Sequence, residues 1–145
     1  MARSTTSGTA PLVEVFSKVP LFAGLPKKKL QVLADMCREH RFLAGDAIVT
    51  EGDTSGRFYM LLAGGAEVRI GGHAVNQLRP GEYFGEYAVL DQAPRSATVM
   101  ATTPVHAYSL ASITLRPFLK EEPEITYRLL LNACQRLRAL ERTSL

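Results

Sequence analysis

Cysteine is scarce and tryptophan is absent in this chain of 145 residues. Cys37 and Cys134 each lie within a helix-like apolar pattern, and neither has a cysteine or histidine nearby at metal-ligand spacing. We therefore expect two buried thiols, no bound metal and no cofactor. The chain also lacks an apolar run close to the ~18 residues that a membrane-spanning helix needs. These absences favour a cytoplasmic protein without a membrane partner.

The length and the composition fit a single globular domain. A hydrophobic share of 46% with 21% charged residues is typical of a soluble fold. Residues 1–10 are rich in serine and threonine and contain no hydrophobic segment, so we expect a disordered tail there and one domain over residues 11–145. The net charge of +3 comes mostly from scattered basic residues, which favours solvated faces over a nucleic-acid surface.

Two short helices are predicted at the start of the domain, within residues 11–40. Apolar residues recur there at intervals of three and four, which places them on one face of a helix. The two sets are Leu12, Val15, Phe16 and Val19, then Leu30, Leu33, Ala34 and Cys37. Pro20 ends the first helix, and Pro26 lies where the first turn of the second tolerates a missing N–H.

The middle of the chain, residues 41–111, has the short β-branched and aromatic runs of an antiparallel sheet, separated by glycine-rich turns. Gly71 and Gly72 can adopt the positive φ angles of a tight turn, which predicts a hairpin between strands Glu67–Ile70 and Ala74–Leu78. Further strands are predicted over Ala47–Thr50, Phe58–Leu62, Ala97–Ala101 and Val105–Leu110. Their close spacing is typical of a β-sandwich or barrel.

Helical periodicity returns in the C-terminal part, residues 112–145, and a closing helix is expected over roughly Pro123–Leu140. An apolar sector of this helix requires a partner surface, and we expect the helix to move in order to make that contact; the alternative is that the sector packs permanently on the sheet. The sector contains Tyr127, Leu130, Cys134 and Leu137. Arg136 and Arg138 lie at its two borders, so either could reach over whatever the sector covers.

The stretch from Phe84 to Val99 carries the clearest chemistry in the chain. Gly85 permits a close backbone approach, and the next residues could form one helical turn whose first N–H groups converge on an anion. Arg95 adds a permanent cation whose planar fork can hold two phosphate oxygens, and the Ser96 hydroxyl is placed to help. The segment therefore indicates a phosphate site.

Glu86 would repel a phosphate unless it faces another part of the same ligand. An ionised carboxylate only accepts hydrogen bonds, and a ribose hydroxyl can donate one. Arg95 and Glu86 together thus suggest a sugar phosphate. Spacing alone leaves an alternative open, in which the two residues form a weak ion pair on the surface of a loop.

This segment resembles the phosphate-binding cassette of cyclic nucleotide-binding domains, found in protein kinase regulatory subunits, bacterial catabolite activators and nucleotide-gated channels. The family pattern is phenylalanine-glycine-glutamate, a hydrophobic run, and then proline-arginine-small-alanine-threonine-valine. The matching residues are Phe84, Gly85, Glu86, Ala88, Val89, Leu90, Pro94, Arg95, Ser96, Ala97, Thr98 and Val99. The resemblance implies a mainly β fold, an eight-stranded antiparallel β-roll of jelly-roll type with N-terminal helices and a C-terminal lid helix.

The resemblance also implies a ligand, a cyclic nucleotide, with cAMP preferred over cGMP because bacterial cAMP binders carry serine at the position of Ser96. Arg95 is expected to bind the cyclic phosphate and Glu86 the ribose 2′-hydroxyl. Val68 resembles a residue that packs against the base. The remaining residues expected at the ligand are Phe84, Gly85, Tyr87, Ala88, Pro94, Ala97, Arg136 and Arg138.

Two features qualify this expectation. Tyr87 stands where the family usually has leucine, methionine or isoleucine, so its ring could cover the site. The 34 residues after the predicted roll are expected to form the closing helices, and not a helix-turn-helix, a kinase or a channel pore. We therefore expect the output to come from an effector protein or a fused effector domain.

Three other functions compete with nucleotide binding. An enzyme of the cupin type is disfavoured because His40, His73 and His106 are far apart, and no nucleophile elbow or Walker loop is present, so no catalytic residue is expected. DNA binding by the closing helix is disfavoured because its arginines spread over several faces. The remaining alternative is a degenerate β-roll that serves as a protein-interaction module, although the presence of both Arg95 and Glu86 argues against it.

Overall fold

The N-terminal helices pack as one unit against the body of the protein. The computed structural model describes residues 9–143, in which α1 spans Thr9–Ser17, a 3₁₀ turn spans Pro20–Phe22 and α2 spans Lys27–Met36. The tail predicted for residues 1–10 lies mostly outside the described residues, and Thr9 already belongs to α1.

The first helix ends earlier than its apolar pattern predicts. The N–H groups of Lys18 and Val19 bond to carbonyl oxygens three residues back, so the chain tightens and leaves α-helical geometry after Ser17. Val19 lies in the connection after α1 and is buried, whereas Val15 is exposed. Val13, absent from the predicted stripe, is buried instead.

Eight strands form the middle of the chain. They are β1 (Arg38–Phe42), β2 (Ala47–Val49), β3 (Arg57–Ala63), β4 (Ala66–Ile70), β5 (His73–Leu78), β6 (Tyr83–Phe84), β7 (Thr98–Ala101) and β8 (Val105–Ala111). Two of them were not predicted. The sequence of β1 is mostly charged, and β6 has only two residues, so neither shows the alternating apolar pattern of a strand. The sheet region therefore starts at Arg38 rather than at residue 41.

The strands pair into two four-stranded antiparallel sheets, in the orders β1-β8-β3-β6 and β2-β7-β4-β5. This confirms the eight-stranded β-roll. The predicted hairpin joins β4 to β5, and Gly71 and Gly72 close it with φ angles of 57° and 82°. The four-residue connection between β5 and β6 carries the chain from the edge of one sheet to the edge of the other.

Strand β3 separates two hydrophobic cores because its side chains alternate between the faces of its sheet. Tyr59 and Leu61 point into the roll, where they pack with residues from both sheets. Phe58 and Met60 point outward and pack against the helices. The roll is thus fixed from inside by its own sheets and from outside by its flanking helices.

Three more helices complete the described chain: α3 (Glu86–Asp91) between β6 and β7, then α4 (Ser112–Glu121) and α5 (Pro123–Thr143). The last two confirm the predicted C-terminal helices, and α5 continues three residues beyond the expected end. Within residues 9–143, no helix combines the length and the apolar character that membrane crossing requires.

The apolar sector of α5 does not face the sheet, which contradicts the alternative that the sector packs permanently on the roll. Ile125 and Leu129 are the residues buried against the body, with exposures of 1% and 5%, whereas Tyr127, Leu130 and Leu137 are 56%, 60% and 59% exposed. The helix contacts the body of the protein through a narrower stripe, which includes Ile125 and Leu129, and the wide sector points to solvent.

The prediction of two buried thiols holds for only one cysteine. Cys134 is exposed on the same outward sector of α5. Cys37 is partly buried, and its burial raises the pKa of the thiol to about 12.

Gly64 provides a direct test of the sheet packing. A Cβ added at Gly64 would lie 2.0 Å from the carbonyl oxygen of Pro104, whereas one added at Gly45 would meet nothing within 4 Å. Both glycines have positive φ angles, 84° and 93°, so both substitutions carry backbone strain. Gly45→Ala should cost about 1–2 kcal/mol of unfolding free energy. Gly64→Ala should cost about 1–3 kcal/mol more in urea denaturation, and equal losses would contradict the packing described.

Candidate functional site

The connection from β6 to α3 depends on one glycine. Gly85 caps α3 with a φ of 95°, in the left-handed region that favours glycine. A Cβ there would lie 2.3 Å from the carbonyl oxygen of Arg57 and 2.8 Å from an Arg95 Nη atom. The absent side chain lets the backbone of Gly85 approach the guanidinium of Arg95.

Arg95 is a buried cation, with only 6% of its surface exposed. Its Nη2 atom donates a hydrogen bond of 2.7 Å to the carbonyl oxygen of Arg57 at the start of β3. Its backbone is held on both sides, because the N–H of Gly52 donates to the Arg95 carbonyl at 2.8 Å and the Arg95 N–H donates to the Asp53 carbonyl at 2.7 Å. Arg95 is therefore anchored through its backbone by the loop before β3 and through its guanidinium by the first residue of β3.

The guanidinium of Arg95 has bonding capacity left over. Its Nε atom is buried and has no hydrogen-bond partner among the described residues. Burial lowers the pKa of Arg95, because the surroundings disfavour its charge. A buried N–H without a partner costs about 1–3 kcal/mol, so an acceptor beside Arg95 would stabilise this arrangement. An anionic oxygen is the acceptor that a guanidinium binds best.

Glu86, the first residue of α3, is also buried, with 5% of its surface exposed. Its Oε2 atom accepts a hydrogen bond of 2.8 Å from Nη1 of Arg136 in α5. Burial raises the pKa of the Glu86 carboxyl, and the charge of Arg136 opposes that shift. The alternative of a surface Arg95–Glu86 ion pair is wrong, because both residues are buried and each bonds elsewhere.

Arg136 joins α5 to the cassette through aromatic contacts as well. The centre of its guanidinium lies 5.8 Å from the ring centroid of Tyr83 and 6.0 Å from that of Tyr87. One helical turn earlier, the side-chain amide of Asn132 donates to the Tyr83 hydroxyl. The unusual Tyr87 thus contacts a cation from α5, and its ring remains partly exposed.

The other predicted site residues occupy distinct positions. Phe84 is buried inside the roll and stacks on Tyr59, with ring centroids 5.1 Å apart, so it supports the cassette from below. Val68 is half-buried on β4 and packs against the inner core. Pro94 and Ser96 flank Arg95 on the surface, with Ala97 partly buried beside them and Ala88 buried in α3.

Helix geometry supports one further expectation about the cassette. The first N–H groups of a helix have no partner within it, and Ala88 lies in the first turn of α3. That N–H and those of Gly85 and Ala97 stay predicted contacts of a ligand. Arg138 and Arg136 are both exposed, but Arg138 has no hydrogen bond or ion pair with residues 9–143.

Sequence reasoning missed three residues that shape the site. Arg57 supplies the carbonyl that holds Arg95, and Tyr83 and Asn132 connect the cassette to α5. The contact of Arg57 is made by its backbone, which no side-chain pattern reveals. Asn132 and Arg136 are four residues apart, and that spacing could have marked a polar face on α5.

The histidines do not form a metal site. His40 is buried inside the roll, where its Nε2 atom lies 2.6 Å from the Ser109 hydroxyl, and burial lowers its pKa to about 4. His106 lies on the opposite face of the sheet and bonds Glu39 at 2.7 Å. Across the described residues, no three histidine, cysteine, aspartate or glutamate side chains are grouped as a metal site requires.

Comparison with known proteins identifies relatives of this arrangement. A family described as cyclic nucleotide-binding domain matches residues 39–122. A cAMP-dependent protein kinase regulatory subunit of Yarrowia lipolytica is 36% identical over 99 residues, which are 68% of this chain and 26% of that protein. The type II regulatory subunit of Drosophila melanogaster is 32% identical over 140 residues, 94% of this chain and 37% of that protein.

The fold has solved counterparts too. The catabolite activator protein of Thermus thermophilus superimposes with a TM-score of 0.76 at 25% identity, covering 86% of this chain and 61% of that one. The chain spans less than two fifths of the length of either curated relative.

Glu86→Gln should stabilise the unliganded protein at pH 7. Because burial raises the pKa of Glu86 above the ordinary 4.5, the folded protein keeps this proton to a higher pH than the unfolded chain does. The contribution of Glu86 to stability therefore falls as pH rises above 4.5, and glutamine has no such proton to lose. Urea denaturation from pH 4 to 8 should show an advantage for Glu86→Gln that grows with pH, and an advantage that shrinks would contradict it.

Proposed function

This chain belongs to the cyclic nucleotide-binding domain family, and from that membership we propose that its ligand is cAMP. Arg95 binds the cyclic phosphate, and Glu86 binds the ribose 2′-hydroxyl. The base lies toward Val68, and the N–H groups of Gly85 and Ala97 contribute further hydrogen bonds. Ser96, exposed beside Arg95, is the residue through which we expect cAMP to be preferred over cGMP.

The buried Arg95 with its unpartnered Nε is the observation that supports this proposal most strongly. A cyclic phosphate carries one negative charge and exposes two oxygens, which fits the bidentate geometry of one guanidinium. Gly85 leaves room beside that guanidinium because it has no side chain. A ligand with more negative charge would meet the Glu86 carboxylate at the end of the same cassette, so a monoanion fits best.

Helix α5 acts as a lid in this proposal. Arg136 already reaches Glu86 through one carboxylate oxygen, Oε2, and a carboxylate has lone pairs left for a ribose hydroxyl. A bound nucleotide would bring the base close to the guanidinium of Arg136 and to Tyr87, and both can stack on a purine. Occupancy would then favour the docked position of α5, because a ligand shifts an equilibrium only toward the state it binds more tightly.

Three further parts of the proposed function are the regulatory role, the cellular location and the effector. We propose that this chain is a regulatory module without catalytic activity, that it acts in the cytoplasm, and that it passes its signal to an effector protein or a fused effector domain. Of the two arginines expected at the lid, Arg136 is the one that acts there in this proposal, since only Arg136 contacts the cassette. Nucleic acid and membranes have no part in it.

Arg95→Ala should weaken cAMP binding by about 2–5 kcal/mol, because the phosphate loses its charge-assisted partner. Calorimetric titration with cAMP and cGMP measures this loss and the selectivity together. Arg95→Lys should recover only part of the affinity, because a lysine cannot form two parallel hydrogen bonds.

The matched control is Arg116→Ala, which removes the same charge from α4, outside the cassette. It should leave the affinity for cAMP unchanged. Unchanged affinity in the Arg95→Ala protein would overturn the assignment of the phosphate site. A wild-type chain that bound neither nucleotide would instead favour the degenerate protein-interaction module.

Arg136→Ala should weaken cAMP about five- to twentyfold, because the lid loses its charge-assisted hydrogen bond to the site. It should also reduce the protection that cAMP gives to Ile125–Leu140 in amide hydrogen exchange. Arg138→Ala, two residues further along the same helix, is the control and should change neither quantity. If exchange over this range were the same with and without saturating cAMP in the wild type, the lid would be wrong.

A further inference from the structure

The inside of the roll contains a buried hydroxyl near the start of the cassette. Ser109 on β8 pairs with Tyr59 on β3, and Tyr59 pairs in turn with Phe84, the residue before Gly85. Directly paired residues in antiparallel strands carry their side chains on the same face. Tyr59 and Phe84 pack in the core inside the roll, so Ser109, which is only 1% exposed, lies in the same inward row. A hydroxyl buried in this row requires hydrogen-bond partners.

Two side chains bond the hydroxyl of Ser109. The Nε2 atom of His40 lies 2.6 Å from Oγ, and Nη1 of Arg57 donates to the same oxygen at 2.7 Å. A guanidinium only donates, so Ser109 accepts from Arg57 and keeps its own proton for His40. Burial, together with the charges of Arg57 and Arg38, lowers the pKa of His40 to about 4, so its ring is neutral at pH 7 and can accept that proton. A chain of hydrogen bonds therefore runs from Arg57 through Ser109 to His40.

Arg57 connects this chain of hydrogen bonds to the phosphate site through its backbone. It is the first residue of β3, and its carbonyl oxygen accepts the 2.7 Å hydrogen bond from Nη2 of Arg95. The same oxygen lies 2.3 Å from the place that a Cβ on Gly85 would occupy, so the surrounding backbone leaves it little room to move. The direct partner of Arg57 on β8 is Ala111, so its side chain reaches Ser109 diagonally across the two strands. This diagonal contact restrains the end of β3 at the residue that orients Arg95.

We propose that Ser109 is a positioning residue for the phosphate site, because its hydroxyl fixes the start of β3 and so holds the Arg57 carbonyl against the Arg95 guanidinium. This inference rests on the proposed function and adds to it a residue that touches no part of the nucleotide. Loss of the hydroxyl releases the side chain of Arg57. The Arg57 carbonyl and the guanidinium bonded to it then lose their fixed geometry, and a loosely held guanidinium binds a phosphate more weakly.

A purely structural role for Ser109 predicts different behaviour. If its hydroxyl served only to satisfy two buried groups, its removal would lower the stability and leave Arg95 in place. Positioning instead predicts a change at the Arg95 guanidinium, which can be observed in the free protein. The Nε–H of Arg95 is a suitable probe because it is buried and has no partner among residues 9–143. Its ¹H–¹⁵N signal in an NMR spectrum is identified by its absence from the Arg95→Lys protein.

The experiment compares Ser109→Ala and Arg57→Met in the whole chain, since each removes one end of the same hydrogen bond. In both variants the Arg95 Nε–H signal of the free protein should shift or broaden. Both should bind cAMP about two- to tenfold more weakly than the wild type in calorimetric titration, the range expected for one lost hydrogen bond. The double variant should bind cAMP no more weakly than the weaker single variant, because the two changes remove one shared contact. Arg57→Met tests the same bond if Ser109→Ala does not fold.

The matched control is Val105→Ala, which shortens a side chain of the inner core at the opposite end of β8. It should lower the stability in urea denaturation by creating a cavity, and it should keep both the Arg95 signal and the affinity for cAMP. If Ser109→Ala and Arg57→Met both kept the wild-type signal or the wild-type affinity, or if Val105→Ala weakened cAMP as much as they do, the inference would be overturned with nucleotide binding intact. Failure of the wild type to bind cAMP would overturn the proposed function, and the Arg95 signal would still show whether Ser109 positions the guanidinium.

Discussion

A buried guanidinium that forms no ion pair with a carboxylate among residues 9–143 is the constraint on which this structure depends. Arg95 gives one hydrogen bond to a carbonyl of β3 and keeps a buried N–H without a partner among the described residues. Burial of an unpaired charge is costly, and two features of the fold make it possible. The loop at Gly52 and Asp53 fixes the backbone of Arg95, and Gly85 admits the guanidinium against the start of α3.

The β-roll explains how a short cassette can hold such a cation. Phe84 stacks on Tyr59 inside the roll, so the entry to α3 is attached to the inner core. The other side of the cassette meets α5 through Glu86, which bonds Arg136. The residue that is proposed to bind the ribose, Glu86, therefore also holds the lid. Ligand binding and the docking of α5 thus depend on the same carboxylate. This sharing is the physical basis of the proposed change of shape on binding.

The sequence predicted the elements that follow local rules and missed those that depend on tertiary packing. Gly71 and Gly72 marked a hairpin that the structure confirms, and the cassette motif indicated the buried Arg95 and Glu86. Strand β1 was missed because its residues are mostly charged and lack the alternating apolar pattern of a strand. It forms through its pairing with β8 at the edge of a sheet. The rotation of α5 could not be predicted because two stripes of that helix are apolar, and periodicity cannot tell which one packs on the body. Contacts made by backbone atoms, such as the carbonyl of Arg57, leave no signature in the side chains.

The most direct test is a calorimetric comparison of cAMP with 5′-AMP on the whole chain. The two ligands share base and ribose, but opening the ring gives 5′-AMP a second negative charge and a phosphate free to rotate away from the ribose. One Arg95 guanidinium beside the Glu86 carboxylate suits the cyclic monoanion. The account predicts saturable binding of one cAMP per chain and much weaker binding of 5′-AMP. Equal affinity for the two ligands, or no saturable binding of cAMP, would contradict it.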